Sequence, residues 1–364
     1  MDLLTNPIKD YAWGSRTAIA ALTGRSAAGP EAELWLGAHP SGPSLLSRGG
    51  PGIALHDVIA ADPVAELGTE VIGRFGERLP YLLKLIAVDR ALSMQVHPSL
   101  EQAAEGFLRG DHNYSDPWPK PEMICALTPF SALAGFRPPG EAAALVGALG
   151  LPALTPVADA LAVGDVLAAL RVLLGWPADQ RATLVQDLVR TSGHPLVDLL
   201  AEQYPEDPAV LAPLLMRHHE LAPGEALYLG AGVLHCYLSG FGVEIMGSSD
   251  NVLRAGLTPK PIDIEELLRI TDPAAQPTSI EPVADVYLTP SPEFQLRRFV
   301  PGDAYPVPGA APRILICVDG VASVRNAAGE ELKLDPAEAL FAGAADGALE
   351  LSGTGTVFCA EPRM

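Results

Sequence analysis

Four side chains scattered along the sequence are of types that hold a divalent cation: Gln95, His97, Glu122 and His235. Gln95 and His97 stand two apart in the run Ser93-Met94-Gln95-Val96-His97-Pro98. Residues i and i+2 of a strand share a face, so both donor atoms aim into one site while Met94 and Val96 face away. Glu122 opens the apolar run 123–127, and Lys120 stands two residues before it. A carboxylate set against an apolar strand costs several kcal/mol unless it is paired or metal-bound. His235 lies inside the apolar run GVLHCYL. Two imidazoles, one carboxylate and one amide oxygen suit a borderline cation such as zinc. The set has no thiolate, which argues for an open catalytic site over a closed structural one. Two histidines and a carboxylate also match the facial triad of iron oxygenases, so that class stays open. Taken singly, each residue has a plainer reading: a core histidine with a hydrogen bond, or a Lys120–Glu122 surface pair worth little.

These donors need strands to carry them. Residues 221–263 hold two short apolar runs broken by glycine, read as strands, with Pro223-Gly224 as the turn before them. A polar ending follows, with Glu244, Ser248, Ser249, Asp250, Asn251, Arg254, Lys260 and Asp263 close together, as in a lined pocket. Pro80 and Asp89 bound a further strand, and 55–75 is weakly helical. Pro117, Pro119 and Pro121 fix an extended approach to Glu122. Between residues 140 and 220 the texture turns to Ala and Leu at helical spacing, divided by Pro177, Pro195 and Pro208. His218 and His219 fall in this stretch, and neighbours on a helix do not share a face. Residues 264–270 read as a short helix, 271–282 as a linker, and 283–364 as β-rich, with a hairpin turn at 326–329. PGEALYLG at 223–230 recurs as PAEALFAG at 336–343, in a register that sets Ala348 where His235 stands. The echo suggests two copies of one antiparallel barrel, of which the first kept a ligand.

The chain has 364 residues, room for two or three domains, and 48% of them are hydrophobic. A formal charge of -20 argues against nucleic acid and against anionic membranes. An anionic small molecule would need basic residues gathered at its site. Cys125, Cys236, Cys317 and Cys359 are scattered in apolar runs, as buried reduced thiols are. Met1 to Thr5 lacks the basic-then-apolar pattern of a signal peptide, and no apolar stretch is long enough for a membrane span. A cytoplasmic protein is expected.

Five strings carry a resemblance: YAWGS at 11–15, ELWLGAHP at 33–40, SMQVHP at 93–98, KPEM at 120–123, and H-x-Y with SDNVLRAGLTPKPID between 235 and 263. They resemble type I mannose-6-phosphate isomerases (phosphomannose isomerases), of the cupin superfamily. The resemblance implies a mainly β fold with an all-α insert: two cupin-type (jelly-roll) barrels plus a helical domain. The implied divisions are residues 1–137 and 222–282 for the catalytic cupin, 138–221 for the helical insert, and 283–364 for a second cupin-like unit. It implies one Zn²⁺ per chain on Gln95, His97, Glu122 and His235, with an active-site arginine at Arg254 and a lysine at Lys120. The implied reaction interconverts mannose 6-phosphate and fructose 6-phosphate through an enediol, in a chain expected to be a monomer. Glu244 is the first candidate base, then Asp250, then a hydroxide on the metal. Arg254 would hold developing negative charge. Lys120, Lys260 and Ser93 are candidates for substrate contacts. One departure stands out: many members carry histidine where this chain has Pro119, after Trp118. A non-catalytic sugar-phosphate binder remains the third alternative.

Overall fold

The structure is a computed structural model. It describes residues 1–48, 52–300, 302, 305–307, 309 and 311–364. It is mainly β, with helices. An eleven-stranded sheet among the described residues supplies every element of the cation-type site.

Strand His235–Gly247 organises that sheet. Its first half pairs with Phe130–Phe136, and His235 also lies opposite Gln95 of strand Met94–Val96. From Gly240 onward the same strand pairs with Tyr81–Val88 on one side and Glu122–Ala126 on the other. The turn between the two halves falls at Gly240, whose φ of 128° belongs to glycine. A Cβ there would stand 2.6 Å from the Phe130 ring. One strand thus contributes to two facing walls. Ile86, Ile124, Phe130, Leu227 and Tyr237 fill the space between those walls.

Strand Tyr81–Val88 is buried on both faces, as its apolar run YLLKLIAV requires. Ile86 and Val88 face the interior just described. Tyr81, Leu83, Leu85 and Ala87 pack instead against Ile314, Ile316, Phe341 and Phe358 of the tail. Lys84 is the one charged residue of the run, and it is 5% exposed.

Between Phe136 and Met216 the chain is helical, with helices including Pro139–Ala148, Val166–Leu174, Arg181–Ser192 and Pro195–Gln203. They share a core with Met94, Val96, Leu133 and Leu253 and so support the site from behind. The helical stretch ends earlier than its texture suggests. Met216–Leu221 is a strand paired with Phe130–Phe136, so His218 and His219 are strand residues, not helical ones. His218 Nε2 meets Ser131 Oγ at 2.8 Å, and His219 Nε2 meets the Ala134 carbonyl at 3.0 Å. Residues 271–282 are likewise more than a linker, since Thr278–Ile280 pairs with Ala226–Leu229. Helices Leu100–Leu108 and Ile264–Ile270 stand as expected.

The tail builds its own core from Phe299, Leu315, Val324, Leu340, Leu351 and Val357. Its hairpin Ala322–Asn326/Glu331–Leu334 turns where expected. Strand Asp2–Thr5 is part of this region: Asp2 lies opposite Phe341 and Leu3 opposite Leu340. The two echoing segments adopt one turn. Glu225 and Glu338 each accept a backbone N–H through Oε2, from Ala222 and Asp335. Gly224 and Ala337 hold the same left-handed position, at φ 90° and 65°. No helix among the described residues is long and apolar enough to cross a membrane.

Candidate active site

His97, Glu122 and His235 converge, with one ligand atom of each lying within 4.8 Å of the others. All three are buried, at 1%, 2% and 1% exposure. Each histidine is oriented from behind. His97 Nδ1 donates to the Asn251 carbonyl at 2.8 Å, and His235 Nδ1 donates to the Val233 carbonyl at 2.9 Å. A carbonyl only accepts, so the proton sits on Nδ1 and Nε2 keeps its lone pair for the centre. The Nε2 atoms of His97 and His235 lie 3.2 and 3.3 Å from Glu122 Oε1 and Oε2. Yet His97 Nε2 and Glu122 Oε2 have no hydrogen-bond partner. Burial, then Lys120, lowers the His97 imidazole to about 4, against the pull of Glu122, so it is neutral near pH 7. Glu122 is held well below the usual carboxylate range: burial would raise it, but its neighbours, the Lys120 ammonium first among them, outweigh burial. Two imidazoles and a carboxylate, all aimed at one point and partly unpartnered, fit a divalent cation. The Gln95 amide is 3.4 Å from His235 Nε2, within reach of the same point. Amide O and N are nearly interchangeable in placement, so the oxygen can face the centre.

Lys120 Nζ lies 3.0 Å from Glu122 Oε1, and its side chain is 11% exposed. The pair is therefore part of the buried site and not a surface pair. Glu244 is 3% exposed and meets Lys84 Nζ at 3.0 Å; Glu33 reaches the same ammonium at 3.3 Å. Burial would lower Lys84, but Glu244, Glu33 and Glu122 outweigh it and keep it charged. Burial raises Glu244, helped by Glu122 and Glu33 and opposed by Lys84. Glu244 thus pairs with Lys84.

Arg254 lies opposite Gln95 in the strand pair Leu253–Gly256/Met94–Val96. It is half-buried, and burial lowers its guanidinium. Ser93 is half-buried just before that strand. Asp250 is at the rim, 46% exposed in its side chain, 3.4 Å from His39 Nε2 and 3.3 Å from Ser41 Oγ. It lines a hollow of about 440 Å³ with Arg78, Asp116 and Trp118. Lys260 is exposed in a turn, its N–H donating to Thr258 Oγ1 at 3.2 Å.

A family model described as phosphomannose isomerase type I, catalytic domain, matches residues 1–139. The mannose-6-phosphate isomerase of Escherichia coli (strain K12) is 35% identical over 391 aligned positions, covering 98% of this chain and 98% of that protein. The chain belongs to the mannose-6-phosphate isomerase family. A crystal structure of a lysine-to-alanine mutant of phosphomannose isomerase from Salmonella typhimurium superposes with a TM-score of 0.91 at 33% identity, covering 100% of both chains. A mannose 6-phosphate isomerase structure titled "holo; zinc bound" gives 0.91 at 32% identity, covering 100% of this chain and 99% of that one.

Two features of this family member escape a sequence reading. Lys84 and Glu33 belong to the buried charge network, and the available signal was a lone lysine inside an unbroken apolar strand. At the Trp118-Pro119 departure, Trp118 takes the Arg78 guanidinium on its face, 4.3 Å from the ring centroid. Arg78 also donates to the Ser248 carbonyl at 2.7 Å. Trp118 and Arg78 both line the hollow that Asp250 lines.

Proposed function

We propose that this chain is a zinc-dependent aldose–ketose isomerase that interconverts mannose 6-phosphate and fructose 6-phosphate. The observation that carries the reading is the convergence of His97, Glu122 and His235 with Nε2 lone pairs turned to one point. Gln95, His97, Glu122 and His235 hold one Zn²⁺. The bound ion supplies Lewis-acid stabilisation of substrate oxygens as they gain charge.

The remaining work falls to the chain's own residues. A proton leaves C2 and returns at C1 through an enediol. Glu244 is the base: its burial raises its proton affinity toward the range a base needs. Lys84 positions that carboxylate. Arg254 stabilises negative charge developing on the substrate, from the strand beside Gln95. Lys120 stands beside the metal ligand Glu122 and reaches substrate oxygens; Ser93 and Lys260 bind the phosphate end. Asp250, tied to His39 at the rim, is the second candidate for the base.

The same reading divides the chain into a catalytic cupin barrel (1–137 and 222–282), an all-α insert (138–221) and a second cupin barrel (283–364). Separate cores and the repeated turn at Glu225 and Glu338 support it. Strand Asp2–Thr5 pairs both with the tail and with Leu45–Leu46, and so links the two barrels. At the insert's end, strand Met216–Leu221 pairs with Phe130–Phe136 of the catalytic barrel. Four buried free cysteines support a cytoplasmic location, and a monomer acting on a small sugar phosphate completes the reading. Family membership favours the isomerase over the iron oxygenase and the non-catalytic binder. A coupled assay on mannose 6-phosphate, run with zinc and with chelator, tests the reading. No turnover by zinc-loaded protein would overturn it.

A further inference from the structure

Asn251 is fully buried in the segment between strands His235–Gly247 and Leu253–Gly256. Its main chain and its side chain point to two different parts of the site. The carbonyl accepts the Nδ1–H of His97 at 2.8 Å and thereby sets that ring's tautomer. The side-chain Nδ2 lies 2.8 Å from the Asp116 carbonyl, 2.9 Å from the Trp118 carbonyl and 3.3 Å from Asp116 Oδ1. Oδ1 accepts the Ser115 N–H at 2.8 Å. Three oxygens on one side and a donor on the other leave a single orientation for the amide.

The segment held this way leads straight into Lys120 and Glu122. Pro117, Pro119 and Pro121 restrict the torsions between the amide and the Glu122 carboxylate. His97 and Glu122 come from separate strands, and Asn251 touches the supports of both. An aspartate could not replace it, because a carboxylate would face the Asp116 carboxylate and two carbonyls.

We infer that Asn251 is a positioning residue for the cation, holding His97 and Glu122 in register with each other. The inference rests on the reading that these side chains hold zinc. The test is zinc affinity of full-length wild type and Asn251→Ala, by competition with a chromophoric chelator. The Co²⁺ absorption spectrum and the melting temperature of metal-free protein are read alongside. The expected result is roughly ten- to hundredfold weaker zinc binding and a changed Co²⁺ d–d band. A lower melting temperature with unchanged affinity and spectrum would show a merely structural role and overturn the inference. Should Asn251→Ala not fold, Ser249→Ala takes its place. It removes the hydroxyl that accepts the Asn251 N–H at 3.2 Å and donates to Asp116 Oδ1 at 2.9 Å. It should weaken zinc in the same direction by less, and wild-type affinity there would overturn the inference. Wild type that takes up no zinc would sink the zinc reading together with this one, whereas normal wild-type uptake with an indifferent variant sinks this one alone.

Discussion

The Lys84 ammonium and the Glu244 carboxylate meet at 3.0 Å across neighbouring strands, with side-chain exposures of 7% and 3%. Neither charge has water to fall back on, so each depends on the other. Replacing Lys84 by Met leaves Glu244 and Glu33 buried without their cation. The expected loss is about 3–5 kcal/mol of stability, read as a lower urea midpoint at pH 7. A variant as stable as wild type would show that the pair does not hold the two carboxylates.

Glu244→Gln should keep the fold and the zinc while removing the base. General-base catalysis contributes roughly 10²–10⁴ in rate, so kcat should fall on that scale with a smaller change in KM. Because burial raises Glu244, its base form is lost as pH drops through a value above the ordinary carboxylate position, about 4.3. The wild-type kcat should therefore decline on the acid side from above that value. A variant retaining full kcat would pass the role to Asp250.

Removing zinc should abolish turnover and lower the melting temperature, both restored by added zinc. Binding to the folded state alone adds RT ln(1 + [L]/Kd), about 2.7 kcal/mol at a hundredfold excess over Kd. Scanning calorimetry at stepped zinc concentrations reads this directly, and a melting temperature indifferent to zinc would contradict a folded-state site.

Glu266 offers a pH test away from the metal. It accepts hydrogen bonds from Arg269 at 2.8 and 2.6 Å and from the Tyr114 hydroxyl. The Arg269 bonds, aided by Tyr114 and opposed by burial, lower its folded pKa. A lowered carboxylate stabilises the fold above its unfolded pKa and loses that contribution as pH falls through the folded one. Glu266→Gln should cost about 1–3 kcal/mol at pH 7, and the difference should vanish in strong acid. A gap between variant and wild type that persists there would mean that packing, not charge, is lost.

The cation site was legible because strands have a period of two. Gln95 and His97 could be placed on one side from spacing alone, and the prolines before Glu122 announced a fixed approach. Lys84 was not legible, since only the pairing of strands brings it opposite Glu244. His218 and His219 were misplaced because a leucine-rich helical texture continued into a strand whose partner lies some eighty residues earlier. The strand at 278–280 was hidden between Pro277 and Pro282, and it forms against the edge that Ala226–Leu229 offers. Local pattern fixes the face a side chain takes, while tertiary pairing decides what it meets.

The strand Asp2–Thr5 pairs with Ala339–Ala342. The paired residues thus stand more than three hundred positions apart in the chain. The strand's other half pairs with Leu45–Leu46, so one short strand joins a near partner to a distant one. Closure of that sheet is a long-range contact of the kind that slows folding.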